Sequence, residues 1–217
     1  MAAILVGFAV EVAKGAWTDP VRLEKLGAIV PVYIAQGGEY WRLLSAMFLH
    51  GDGTKQGTLL HLAVNLFSLY NLGTLYEYMF STRRFVLIYF VTGIAASLTS
   101  FMRLPPFGAS VGASGAIFGI LGAFILSVWR SPRYRDDHRA RSMMKQAIFW
   151  MIANIVIGLQ IAKIDNAAHI GGLVAGMLLG ALLPHAAPPP GPPAEVVIDV
   201  RPSATPGADP GARRDDR

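Results

Sequence analysis

Ser114, His169, His61 and Asn65 are the residues of this sequence whose types and spacing suit covalent chemistry. The serine stands in VGASGAIFG, residues 111–119, where small neighbours either clear space around a hydroxyl or let helices pack closely. HLAVN, residues 61–65, sets His61 and Asn65 at i and i+4, on one face of a helix. His169 opens the run HIGGLVAGMLLG. A serine hydroxyl becomes a nucleophile when a base takes its proton, and neutral imidazole has the right basicity near pH 7. The oxyanion formed by attack on a carbonyl then needs donors, which His61, the Asn65 amide and the Ser114 backbone N–H can supply. The chemistry that fits is acyl transfer by a Ser114–His169 dyad. Asp165, four residues before His169, is the one acid near enough in sequence to be weighed as a third member.

The elements that must position these groups are apolar. The chain has 217 residues, 53% hydrophobic and 15% charged, with a mean hydropathy of +0.44; soluble domains carry about 25% charged residues. Six apolar segments, near 1–13, 59–80, 85–102, 113–129, 146–162 and 167–183, predict an all-α polytopic membrane protein with six spans. Seventeen residues of helix rise about 25 Å, enough for a thin bilayer core. The first segment is short, contains Glu11 and reads as a membrane helix with a clipped start. No cysteine is present, which excludes disulfides and thiolate chemistry. The formal charge of +5 does not point to nucleic acid, because the basic residues sit in gaps between apolar runs.

Those gaps set the direction of the spans. Arg83 and Arg84 lie between spans two and three, and Arg130, Arg133, Arg135, Arg139, Arg141 and Lys145 lie between spans four and five. The positive-inside rule puts both gaps and both termini in the cytoplasm, and the long first loop, about 14–58, outside and partly in the interface. Spans two, four and six then start from the outer side. His61 and Asn65, Ser114, and His169 therefore converge from three helices on one level below the outer surface. Gly172, Gly176 and Gly180 on span six match Gly115, Gly119 and Ala123 on span four, so these two helices can pack backbone to backbone.

These residues resemble the rhomboid intramembrane serine proteases over about residues 38–183. GASG at 112–115, with Gly112 and Gly115, looks like the family's GxSG nucleophile motif; AHIGG at 168–172, with Gly172, resembles its span-six motif; HLAVN resembles its HxxxN motif. Trp41 and Arg42 look like the WR signature of the first external loop, and Glu77 like a structural glutamate near the far end of span two. The resemblance implies a six-helix rhomboid-like bundle that cleaves transmembrane segments of membrane-protein substrates in the bilayer. It implies no cofactor, no metal and no nucleic acid. Ser114 becomes the nucleophile, His169 the base, and His61, Asn65 and the Ser114 N–H the oxyanion site. Phe118 stands where well-studied members have a tyrosine packing on the catalytic histidine, and can still stack there. Glu77, 16 residues after His61, is about 24 Å away along the helix and is expected to satisfy backbone or hydroxyl groups on the cytoplasmic side.

Two departures and a tail complete the expectations. GDGTKQGTLL between His50 and His61 is longer than a compact start of span two and predicts either a reshaped access to the site or a short surface loop; His50 reads as a surface residue, with a place near the water path as the alternative. Residues 1–183 form the protease domain. From Pro184 the PPPGPP and ATPGADPGARRDDR stretches predict a disordered cytoplasmic tail, with EVVIDV as its one strand-like segment. The Ala-, Gly- and Arg-rich composition points to a bacterial inner membrane. A catalytically silent relative that binds transmembrane helices is the alternative, although such relatives generally lack the serine or the histidine. A transporter would place ionisable groups near the bilayer centre, a metalloprotease needs a motif such as HExxH, and aspartyl proteolysis needs two aspartates inside spans.

Overall fold

The computed structural model describes residues 1–160 and 164–183, and the tail from 184, EVVIDV included, lies outside the described residues. Among the described residues the chain is helical with no strand: α1 (Ala2–Lys14), α2 (Pro20–Leu26), α3 (Pro31–Ala35), α4 (Arg42–Ser45), a 3-10 turn (Ala46–Phe48), α5 (Lys55–Met79), α6 (Thr82–Arg103), α7 (Ser114–Arg130), α8 (Pro132–Arg135), α9 (His138–Gln160) and α10 (Asn166–Leu182). Each of the six apolar segments falls on one of the longer helices. By length and composition, α6 alone among them is long and apolar enough to cross a membrane, while α7 and α10 are shorter apolar helices.

Helix α7 is apolar on every side and is accordingly the centre: Gly115 to Phe124 are all buried. It packs against α10, α6, α5 and α9. Helix α5 buries a single stripe, Thr58, Leu62, Asn65, Leu69, Gly73, Tyr76 and Met79, at spacings of three and four. Its other side, like those of α6 and α10, leaves Leu60, Phe67, Phe90, Val91, Val174 and Leu178 exposed. Such continuous outward apolar faces suit hydrocarbon better than water.

Boundaries moved where local chemistry favours a helix beyond the apolar run. Within the 51–58 stretch, residues 51–54 form a short turn that caps α5, and residues 55–58 are its first turn. Asp52 Oδ1 accepts from the Thr54 N–H and hydroxyl at 2.9 Å, Thr54 Oγ1 accepts from the Gly57 N–H at 3.1 Å, and α5 starts at Lys55. Thr58 ties this cap to the first loop by donating to the Trp17 carbonyl at 2.6 Å. Helix α9 starts at His138, ahead of its apolar run, because Asp137 Oδ1 accepts the Ala140 N–H at 2.7 Å. Glu77 is half-buried and makes no hydrogen bond among the described residues; at that end of α5 the Tyr134 hydroxyl satisfies the Met79 carbonyl, at 3.0 Å.

Candidate active site

The start of α7 is fixed by contacts on both sides of Ser114. Ile29 and Ser110 exchange backbone hydrogen bonds at 2.9 and 3.1 Å, and the Gly112 N–H donates to the Ala46 carbonyl at 2.9 Å. The first loop thus holds the strand-like lead into the serine. Arg42 holds the loop in turn. It is 4% exposed, pairs with Glu39 at 2.6 Å and donates to the carbonyls of Glu24 and Ala28 at 2.5 and 3.0 Å. Its guanidinium lies 4.8 Å from the Tyr33 ring and 4.9 Å from the Trp41 ring. Trp41 is half exposed and covers Gly27. Trp41 and Arg42 are therefore remote supports of the nucleophile turn rather than parts of it.

Helices α7 and α10 approach backbone to backbone. A methyl group on Gly172 or Gly176 would overlap the carbonyl of Gly115 or Gly119, and one on Gly180 would come within 2.6 Å of the Ala123 carbonyl. Gly115 itself leaves room for Ala96 of α6. This contact sets His169 Nε2 2.8 Å from Ser114 Oγ. The Phe118 ring lies parallel to the His169 imidazole, with centroids 4.3 Å apart and an interplanar angle of 9°. Asp165 makes no hydrogen bond to the imidazole. Its carboxylate caps α10 through the Ala168 N–H at 3.0 Å and accepts from the Ser100 hydroxyl, while His169 Nδ1 is buried with no hydrogen-bond partner among the described residues.

His61 stands across from this pair. A Cβ built on Gly112 would lie 2.8 Å from His61 Nε2 and 3.8 Å from Ser114 Oγ. The glycine, at φ +129°, keeps that volume open. His61 Nε2 and Ser114 Oγ therefore both lie on the side of Gly112 where a side chain would project. His61 Nδ1 faces the His50 carbonyl at 3.2 Å, and a carbonyl only accepts, so Nδ1 carries a proton. Asn65 is buried and spends one amide hydrogen on the His61 carbonyl at 2.9 Å; the structure records no bond from it to Ser114 or His169.

His50 differs most from its sequence reading. It is 0% exposed, its ring centroid lies 5.1 Å from that of His61, and neither ring nitrogen has a partner among the described residues. Burial, reinforced by neighbouring His61, holds its imidazole well below the usual value, at about 3. A histidine in a polar loop reads as exposed; here α1 covers it. Sequence reasoning also passed over Glu11 as a flaw in the first helix. It is 0% exposed and its Oε1 accepts the His50 N–H at 2.6 Å. The available signal was an acid in the middle of an apolar run.

Comparison with known sequences decides the family, for the rhomboid domain matches residues 37–186. This chain belongs to the rhomboid family. It is 40% identical over 171 residues to the rhomboid protease GluP of Bacillus subtilis (strain 168), covering 79% of this chain and 31% of GluP. It is 37% identical over 155 residues to RHOMBOID-like protein 6, mitochondrial, of Arabidopsis thaliana, covering 70% of this chain and 46% of that protein. Against the putative rhomboid protease YdcA of Bacillus subtilis it is 30% identical over 157 residues, 72% of this chain and 70% of YdcA. The chain spans less than half the length of the first two of these relatives. Rhomboid proteins are integral to membranes, in keeping with the apolar outward faces of α5, α6 and α10.

Proposed function

We propose that this chain is an intramembrane serine endopeptidase in which Ser114 is the nucleophile and His169 its general base. The observation that carries the reading is the 2.8 Å contact between Ser114 Oγ and His169 Nε2, beside the open volume at Gly112. His169 Nε2 takes the hydroxyl proton as Oγ attacks the substrate carbonyl carbon. The carbonyl oxygen, now an anion, turns toward His61 Nε2 and the backbone N–H groups at the start of α7, past the side-chain-free face of Gly112. His169 then delivers its proton to the leaving amine, and a water molecule repeats the cycle on the acyl-enzyme. Because His61 Nδ1 is occupied by the His50 carbonyl, Nε2 donates to the oxyanion when the ring is an imidazolium, which makes that bond charge-assisted. The second hydrogen of the Asn65 amide is the remaining candidate donor. Phe118, stacked on His169, fixes the plane of the base without offering a hydroxyl.

In this reading residues 1–183 form the protease, and α1, α5, α6, α7, α9 and α10 are its six spans. Arg83, Arg84 and the basic stretch from Arg130 to Lys145 mark the cytoplasmic side, so both termini face the cytoplasm and the dyad lies near the outer face. Helices of 17 residues, α7 and α10, rise about 25 Å and match a locally thinned bilayer. The substrates are transmembrane segments of other membrane proteins, presented from the lipid, and in a bacterial cell the membrane is the inner one. The name of GluP, a protease at 40% identity, supports the same class of reaction.

The test uses purified full-length protein in liposomes with a fluorogenic single-span substrate. Wild type cleaves and Ser114→Ala does not, while both unfold at the same temperature. Cleavage by both proteins overturns the assignment of the nucleophile. Cleavage by neither, with no labelling of Ser114 by a fluorophosphonate, favours a silent helix-binding member of the family.

A further inference from the structure

Glu11 is the one acid inside the longer helices that is fully buried, and no step of the reaction above uses it. A carboxyl in an apolar environment costs several kcal/mol unless it is hydrogen-bonded, so its partners indicate its purpose. Its Oε1 accepts the His50 N–H at 2.6 Å. Glu11 Oε2 has no partner among the described residues. Glu11 thus holds residue 50 by its N–H, and the carbonyl of the same residue meets His61 Nδ1 at 3.2 Å.

We propose that Glu11 is a positioning residue for His61. It anchors the backbone of residue 50 through the His50 N–H, and the carbonyl of that residue fixes both the orientation of the His61 ring and the proton on Nδ1. The consequence appears on the far side of the ring, where Nε2 is held against the Gly112 volume. Glu11 makes no hydrogen bond to Ser114 or His169 among the described residues, so its effect on reactivity travels through His61 alone. A first helix that packs on the 3-10 turn (Ala46–Phe48) is thereby tied to the oxyanion side of the site.

This inference rests on the reading of His61 as an oxyanion donor. The experiment measures the rate of Ser114 labelling by a fluorophosphonate in the full-length protein in liposomes, for wild type, Glu11→Leu, His61→Ala and the double variant. Glu11→Leu slows labelling about tenfold in wild type but less than twofold in the His61→Ala background, the non-additivity expected of residues acting through one another. Glu11→Gln, which retains the accepting oxygen, returns the rate to within threefold of wild type. An equal fold loss in both backgrounds, or no rescue by glutamine, overturns the role of Glu11 and leaves the dyad intact. Labelling that persists in Ser114→Ala overturns the underlying reading instead. If Glu11→Leu does not fold, Glu11→Asp withdraws the carboxylate by about 1.5 Å and enters the same cycle with the same two outcomes.

Discussion

Replacing Gly112 by alanine separates access to the site from the stability of its scaffold. The added methyl carbon would sit 2.8 Å from His61 Nε2 and 3.0 Å from its Cε1, inside the roughly 3.5 Å at which such atoms attract. It would also crowd the approach between His61 and Ser114, lying 3.8 Å from Ser114 Oγ. Losing one oxyanion donor elsewhere slows turnover about 10²–10³-fold, roughly 3–4 kcal/mol, and Gly112→Ala should do at least this. The backbone at φ +129° adds about 1–3 kcal/mol of strain to the folded state. Gly38→Ala is the control, because Gly38 also has positive φ (+69°) yet has nothing within 4 Å of the new methyl. Turnover and thermal unfolding are measured together in detergent and in liposomes. Both variants should unfold at somewhat lower temperature, and only Gly112→Ala should lose activity. Gly112→Ala cleaving within threefold of wild type would refute the placement of the oxyanion.

Two further outcomes follow from packing and from burial. Gly176→Ala drives a methyl into the Gly119 carbonyl, so thermal unfolding should report a loss of about 1–3 kcal/mol, and kcat should fall as α10 moves His169 away from Ser114; an unchanged melting temperature would contradict the backbone-to-backbone contact. His50 is neutral when folded because burial, then His61 beside it, lowers its value to about 3, whereas the unfolded chain titrates near 6.5. The unfolded state therefore binds a proton first as pH falls, so stability present above about pH 6.5 is lost progressively toward pH 3, by about 2 kcal/mol at pH 5. His50→Leu should shrink the drop in melting temperature between pH 7 and pH 5, and equal drops in the two proteins would remove His50 as the cause.

The candidate site residues were legible because their signals are local. The i, i+4 spacing of His61 and Asn65 and the glycines every four residues on α10 are properties of a helix that can be read along the chain. Matching small residues on α7 and α10 were enough to foresee that Ser114 and His169 meet, and Phe118, one turn beyond the serine, falls on the same ring. Helix ends were less legible, because caps such as Asp52–Thr54 and Asp137 extend α5 and α9 past the apolar pattern.

What only the tertiary structure decided lies in backbone contacts between distant segments. The bridge between Ile29 and Ser110, the bond from Gly112 to Ala46 and the reach of Arg42 to the carbonyls of Glu24 and Ala28 involve peptide groups that every residue possesses, so no side-chain pattern announces them. Asp165 was weighed as a partner for His169, but its carboxylate is taken up by a helix cap and the Ser100 hydroxyl. His50 was read as a surface residue because burial depends on what covers a loop, and the cover is α1, whose Glu11 was read as a weakness in an apolar segment. The sequence by itself determined which groups are candidates for the chemistry, since their identities and helical spacing are written in it; only the folded chain decided which way they face, since the loop beside them is held by hydrogen bonds to peptide groups far apart in the chain.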